Sequence, residues 1–137
     1  MPKSKELLLM LNNKGQSLVI FVVMIPIALL VFILIYDIGN LSFEKQELDN
    51  INKLVIDYGL DNINNIEIVN EMYDLAKNNN NKINYEIKFI DQEIYINSKY
   101  YVKGVFTKII NIDGYLAKSS YKGYLDKNNK HIIKSIK

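Results

Sequence analysis

Few residues in this chain of 137 could carry out chemistry. His131 is the only histidine and there is no cysteine, so the sequence offers no Ser-His-Asp or Cys-His arrangement, no multi-histidine or thiolate metal site and no disulfide. Glu44, Glu47 and Asp49 stand close together, but on an amphipathic helix they are predicted to form a solvated face rather than an acid–base pair. We therefore expect a non-enzymatic protein that uses no metal and no cofactor.

Tyrosines alternate with lysines through the second half of the chain, a pattern that can stack on nucleic-acid bases and neutralise phosphates. The tyrosines in this pattern are Tyr85, Tyr95, Tyr100, Tyr101, Tyr115, Tyr121 and Tyr124. Tyrosine is also a favoured strand residue, and all seven fall in predicted strands, so packing within a sheet is the preferred interpretation. All 17 basic residues are lysines and the formal net charge is only +2, which argues against nucleic acid as a partner.

The elements that position these residues begin with an uncharged apolar run at residues 18–36. As an α-helix this run is roughly 28 Å long, close to the hydrocarbon thickness of a bilayer, which predicts a membrane-spanning helix in contact with lipid. Lysines precede the run and acids follow it, so we expect a cytoplasmic amino terminus and an extracellular carboxyl-terminal domain. Pro26 lies inside the run and predicts a helix kink. A cleaved secretory signal is disfavoured, because its apolar core is shorter and ends near an Ala-x-Ala-like site that is absent here.

The helical spacing of apolar residues continues beyond this run to about residue 58, with Gly59 as the expected C-cap. A second, short helix is predicted at residues 66–77, and strict alternation then predicts strands within residues 83–136. The expected fold class is α+β, in which a long amino-terminal helix packs on a small antiparallel sheet. One half of this helix is transmembrane and the other half is amphipathic.

The expected domain organisation has three parts. A cytoplasmic leader occupies residues 1–15, and the transmembrane helix occupies residues 16–38. The extracellular α+β domain occupies residues 39–137 and begins with the amphipathic helix at residues 40–58.

The amino-terminal part of the chain resembles the TadE/TadG-like pseudopilin family of tight-adherence (Flp, type IVc) pilus systems. The resemblance is carried by Lys-Gly-Gln-Ser-Leu-Val at residues 14–19, by an apolar run with a central proline at Pro26, and by Asp37-Ile38-Gly39 at the end of the run. A segment rich in Gln, Leu and Asn at residues 45–50 follows, as it does in the family.

The resemblance implies a pilin-like fold and a prepilin-peptidase site, with cleavage after Gly15 leaving Gln16 as the mature amino terminus. It implies a structural subunit, a minor pilin or pseudopilin, acting in pilus assembly, initiation or surface adhesion. The implied partners are a prepilin peptidase, pilus assembly platform proteins and other pilins or pseudopilins. The fifth mature position is Ile20, where many pilins carry a glutamate that pairs with a neighbour's terminal amine.

A different class of protein is also compatible with the sequence. The chain could be an uncleaved, single-pass membrane-anchored module whose extracellular domain binds a wall or surface ligand. The state of the amino terminus discriminates between the two, because only the pilin is expected to begin at Gln16.

Overall fold

The computed structural model describes residues 2–135. The chain divides into two compact units, residues 1–37 and residues 38–137. The last strand was predicted to reach residue 136, which lies outside the described residues.

The first helix, α1 (Pro2–Asp61), begins earlier and ends later than the sequence predicts. It includes Pro26 in its interior and continues through Gly59. The prediction that Gly59 caps this helix is wrong. A Cβ at Gly59 would lie 2.6 Å from Met72 Sδ and 2.7 Å from Ile94 Cδ1, so the glycine instead lets two neighbouring elements approach the helix closely.

The second helix, α2 (Ile68–Asn79), begins and ends two residues later than predicted. Its buried residues are Ile68, Met72 and Ala76, which follow one another at intervals of four and therefore share one face of the helix. This face joins the core that lies between α1 and the sheet.

The sheet has four antiparallel strands in the spatial order β1-β2-β3-β4. They are β1 (Asn84–Ile90), β2 (Glu93–Val102), β3 (Tyr115–Asp126) and β4 (Asn129–Lys134). A third helix, α3 (Val105–Ile109), lies in the connection between β2 and β3. The α+β fold class is thereby confirmed: a long amino-terminal helix packs on a small antiparallel sheet.

Two tight turns set the register of the outer hairpins. Asp91 and Gln92 join β1 to β2 with φ of 52° and 63°, and Lys127 and Asn128 join β3 to β4 with φ of 48° and 69°. Positive φ at both central residues is typical of type I′ turns, whose twist matches that of paired strands. Ile90 is consequently paired with Glu93 across the first turn.

The core lies between the second half of α1 and one face of the sheet. The helix contributes Leu48, Val55 and Ile56, each 0% exposed, and the central strands contribute side chains such as Ile96 and Ala117. A Cβ at Gly123 of β3 would overlap Ile56 Cγ2, so this strand approaches the helix more closely than any side chain permits.

Candidate functional site

The predicted processing junction lies within α1. Gly15 and Gln16 are both exposed, and a Cβ placed on Gly15 would meet no atom within 4 Å. A glycine inside a helix costs about 1 kcal/mol relative to alanine. In the described structure, a side chain at this position would not clash with any packed neighbour. Packing therefore gives no reason for a glycine here.

The apolar run that follows the junction is exposed at every residue except Ile33, which is partly buried. Leu18 is 67% exposed and Phe32 is 68% exposed, and the large side chains between them are similarly uncovered. Within the described residues, the segment Gly15–Asp61 is the one helix that is long and apolar enough to cross a membrane. This is consistent with a single-pass membrane protein. Pro26 lies in this segment, and its kink stays a prediction.

The three clustered acids do not form a purely solvated face, and the sequence interpretation is wrong for two of them. Glu47 accepts a hydrogen bond of 2.9 Å from Asn80 Nδ2. Asp49 accepts one of 2.7 Å from Lys134 Nζ and another from the hydroxyl of Ser119. Burial alone would raise the pKa of the Asp49 carboxyl, but the hydrogen bonds from Lys134 and Ser119 outweigh it and hold the pKa below its usual value.

A buried amide continues this polar cluster into the core. Asn52 is 0% exposed, and its Nδ2 donates to Ser98 Oγ at 2.9 Å and to Ser119 Oγ at 3.0 Å. Its Oδ1 has no hydrogen-bond partner among the described residues. The sequence did not single out Asn52 as a functional residue. Its spacing of four after Leu48 and three before Val55 was the signal that it shares their face.

The predicted tyrosine packing holds for part of the set. Tyr121 is 5% exposed and lies in the core. Tyr85 and Tyr100 are partly buried and pack against this core. Burial, with a smaller contribution from the charge of Glu47, raises the pKa of Tyr85 to about 12. These tyrosines therefore serve the sheet, as expected.

Other tyrosines lie on the outer face of the sheet, which faces away from α1. Lys122 Nζ lies 5.6 Å from the ring centroid of Tyr95 and 5.5 Å from that of Tyr124, distances typical of cation–π contacts. The Tyr124 ring also stacks on His131, with centroids 5.1 Å apart. Glu93 Oε2 lies 2.7 Å from Lys122 Nζ, so the surface carries both aromatic and charged side chains.

Two lysines on this outer face stand directly opposite each other. Lys99 of β2 is paired with Lys118 of β3 in the strand register. Like charges in such positions weaken a strand pair. The arrangement adds positive charge to the tyrosine-bearing surface.

Among residues 2–135, no three His, Cys, Asp or Glu side chains are grouped as a metal site would require. Comparisons of the chain with protein-family models, with curated proteins and with solved structures find no match. What the structure defines is therefore a class: an α+β chain with one candidate membrane-spanning helix and an antiparallel sheet domain.

Proposed function

We propose that this protein is a minor pilin or pseudopilin of a tight-adherence, type IVc pilus. It serves as a non-catalytic structural subunit in pilus assembly, initiation or surface adhesion. A prepilin peptidase cleaves it after Gly15, and Gln16 becomes the mature amino terminus. Its amino terminus is cytoplasmic before cleavage, and its sheet domain is extracellular.

The junction of Gly15 and Gln16 with the apolar run is the observation that carries this proposal. A small residue at the cleavage position lets a peptidase approach the backbone closely. This role is supported by the surroundings of Gly15, where no contact within the described part of the chain needs a glycine.

The continuity of α1 gives the subunit a physical means of assembly. Its first half exposes apolar side chains that either lipid or the same segment of other subunits can cover. Its second half packs against the sheet through the shared core. The proposed partners are accordingly membrane lipid, other pilins or pseudopilins, and the platform proteins that move them.

The test is the mass of the mature protein from cells that contain a prepilin peptidase. We expect a chain beginning at Gln16 in the natural protein and an uncleaved chain in a Gly15→Leu variant. Gly39→Leu is the matched control, because a Cβ at Gly39 also meets no atom within 4 Å. This variant should leave cleavage unchanged. Cleavage of the Gly15→Leu variant to the same product would contradict the proposal.

A second candidate function is favoured by the outer face of the sheet. There the aromatic rings of Tyr95 and Tyr124 and the lysine pair of Lys99 and Lys118 lie on one surface that the core does not use. An uncleaved, membrane-anchored binding module could present this surface to an anionic or glycan ligand. Intact chains beginning at Met1, with normal display at the cell surface, would support this function over the pilin.

A further inference from the structure

The connection between β2 and β3, residues 103–114, lies beside the first residues of α1 that belong to the second unit. Asn40 and Glu44 of α1 line a cleft of about 380 Å³ together with the end of β2, residues 100–103. Burial, and then the neighbouring charge of Glu47, raise the pKa of the Glu44 carboxyl, as expected in a partly enclosed space. The start of the connection, Lys103, therefore lines the same cleft as Asn40.

Asn40 follows the apolar run almost directly. Only three residues separate Asn40 from Tyr36 in the sequence, so the chain keeps Asn40 close to the end of the run. The polar layer of a bilayer extends about 5–8 Å outside the hydrocarbon on each side. If residues 18–36 span the hydrocarbon, Asn40 lies near the lipid headgroups, and the start of the connection shares a cleft with it.

The connection exposes far more apolar surface than a tight link between two strands requires. Val105 is 41% exposed, Ile109 60%, Ile110 47% and Ile112 51%. Val105 and Ile109 are one helical turn apart in α3 and share its face. The side chain of Thr107 points inward, where its hydroxyl donates to Gly104 O at 3.0 Å and accepts from Gly104 N at 2.9 Å.

The charges of the connection match a lipid surface. Lys103 and Lys108 are exposed beside the isoleucines, and Asp113 is the single acid in the segment. Isoleucines with flanking lysines are the composition of segments that lie in the membrane interface, where apolar side chains enter the acyl boundary and lysines reach anionic headgroups.

We propose that residues 103–114 bind the surface of the same bilayer that α1 crosses, with Ile109 and Ile112 entering the interface. This second contact would hold the sheet domain against the membrane before assembly. It requires that the apolar run spans a bilayer, but it does not depend on cleavage at Gly15.

The test uses the full chain in vesicles of phosphatidylethanolamine and phosphatidylglycerol. Because the chain has no cysteine, a single cysteine can carry an environment-sensitive fluorophore at any chosen position. The test variant is Ile109→Cys. The matched control is Ile133→Cys, which is 51% exposed on the outer face of β4, and Val23→Cys reports the membrane span itself.

We expect nitroxide-labelled lipids to quench the probe at position 109 several-fold more strongly than at position 133, and aqueous iodide to show the reverse order. Equal, iodide-accessible signals at both positions would overturn the inference. Protection of position 109 from iodide without lipid quenching would also overturn it, because a protein surface would then cover the connection. If either of these results occurs while lipids strongly quench the probe at position 23, the helix still spans the membrane. The inference about residues 103–114 has then failed by itself.

Discussion

A single amide, that of Asn52, joins α1 to the two central strands of the sheet. Its Nδ2 group donates to the hydroxyls of Ser98 and Ser119, and Ser119 in turn donates to Asp49 one turn earlier on the helix. An apolar core tolerates small sliding movements between a helix and a sheet, whereas directional hydrogen bonds allow one register only. At the scale of the residue, this network fixes which turn of α1 faces which strand.

We predict that Asn52→Asp lowers the free energy of unfolding by about 3 kcal/mol or more. The substitution keeps the size of the side chain but replaces the amide donor with a buried carboxylate near Asp49, so the hydrogen bonds to Ser98 and Ser119 are lost or inverted. Denaturant unfolding of the full chain in micelles, followed by tyrosine fluorescence, measures the change.

The matched control for this prediction is Asn50→Asp, because Asn50 is exposed on the same helix. It should change stability by no more than about 0.5 kcal/mol. Equal stabilities of the two variants would show that the amide of Asn52 does not hold the helix to the sheet.

At the scale of the element, glycines determine how closely α1 meets its neighbours. Gly59 admits Met72 of α2 and Ile94 of β2, and Gly123 of β3 admits Ile56 of the helix. At each glycine, a side chain from the neighbouring element occupies the space that a side chain at the glycine position would need. The helix can therefore lie close to α2 and to two strands at once.

We predict that Gly123→Ala lowers the free energy of unfolding by about 1–3 kcal/mol, because the new methyl group overlaps Ile56 Cγ2 and contacts Leu60 Cδ1 at 3.3 Å. The comparison variant is Ser120→Ala, which lies on the outer face of the same strand and should change stability by no more than about 0.5 kcal/mol. Thermal unfolding of both variants in micelles gives the comparison. An undiminished stability of Gly123→Ala would mean that α1 can move away from the sheet without cost.

The elements themselves could be predicted because each has a local pattern. Strict alternation within residues 83–136 predicted the strands that the structure contains. The errors concern contacts between distant residues. Gly59 has the local pattern of a helix C-cap, and only the approach of α2 and β2 explains why the helix continues past it. Asn52 has the spacing of the buried stripe, but the serines that bind its amide lie 46 and 67 residues further along the chain, and no local pattern reveals that pairing.

At the scale of the whole chain, one sequence has to satisfy two solvents. The first unit exposes apolar side chains along its helix, as a lipid environment requires, and the second unit buries many of its apolar side chains in a core of its own. The candidate processing site and the candidate lipid-binding connection belong to different units. Each can therefore be altered without changing the residues of the other.

The orientation of the chain is the prediction that links these parts. Lysines before the apolar run predict that the leader stays in the cytoplasm, and a peptidase acting on the cytoplasmic side can reach Gly15 only in that orientation. Single cysteines at Ser4 and at Ile66, the latter 99% exposed, report the two sides of the membrane through a membrane-impermeant maleimide. The Gly15→Leu background retains the leader for labelling.

We expect the Ile66→Cys variant to be labelled in intact cells and the Ser4→Cys variant only after the membrane is permeabilised. Labelling of Ser4→Cys in intact cells would reverse the orientation and place Gly15 out of reach of a cytoplasmic peptidase. The pilin proposal would then be wrong even though α1 crosses the membrane. Because the lipid-binding connection needs only the membrane span, it would survive that result.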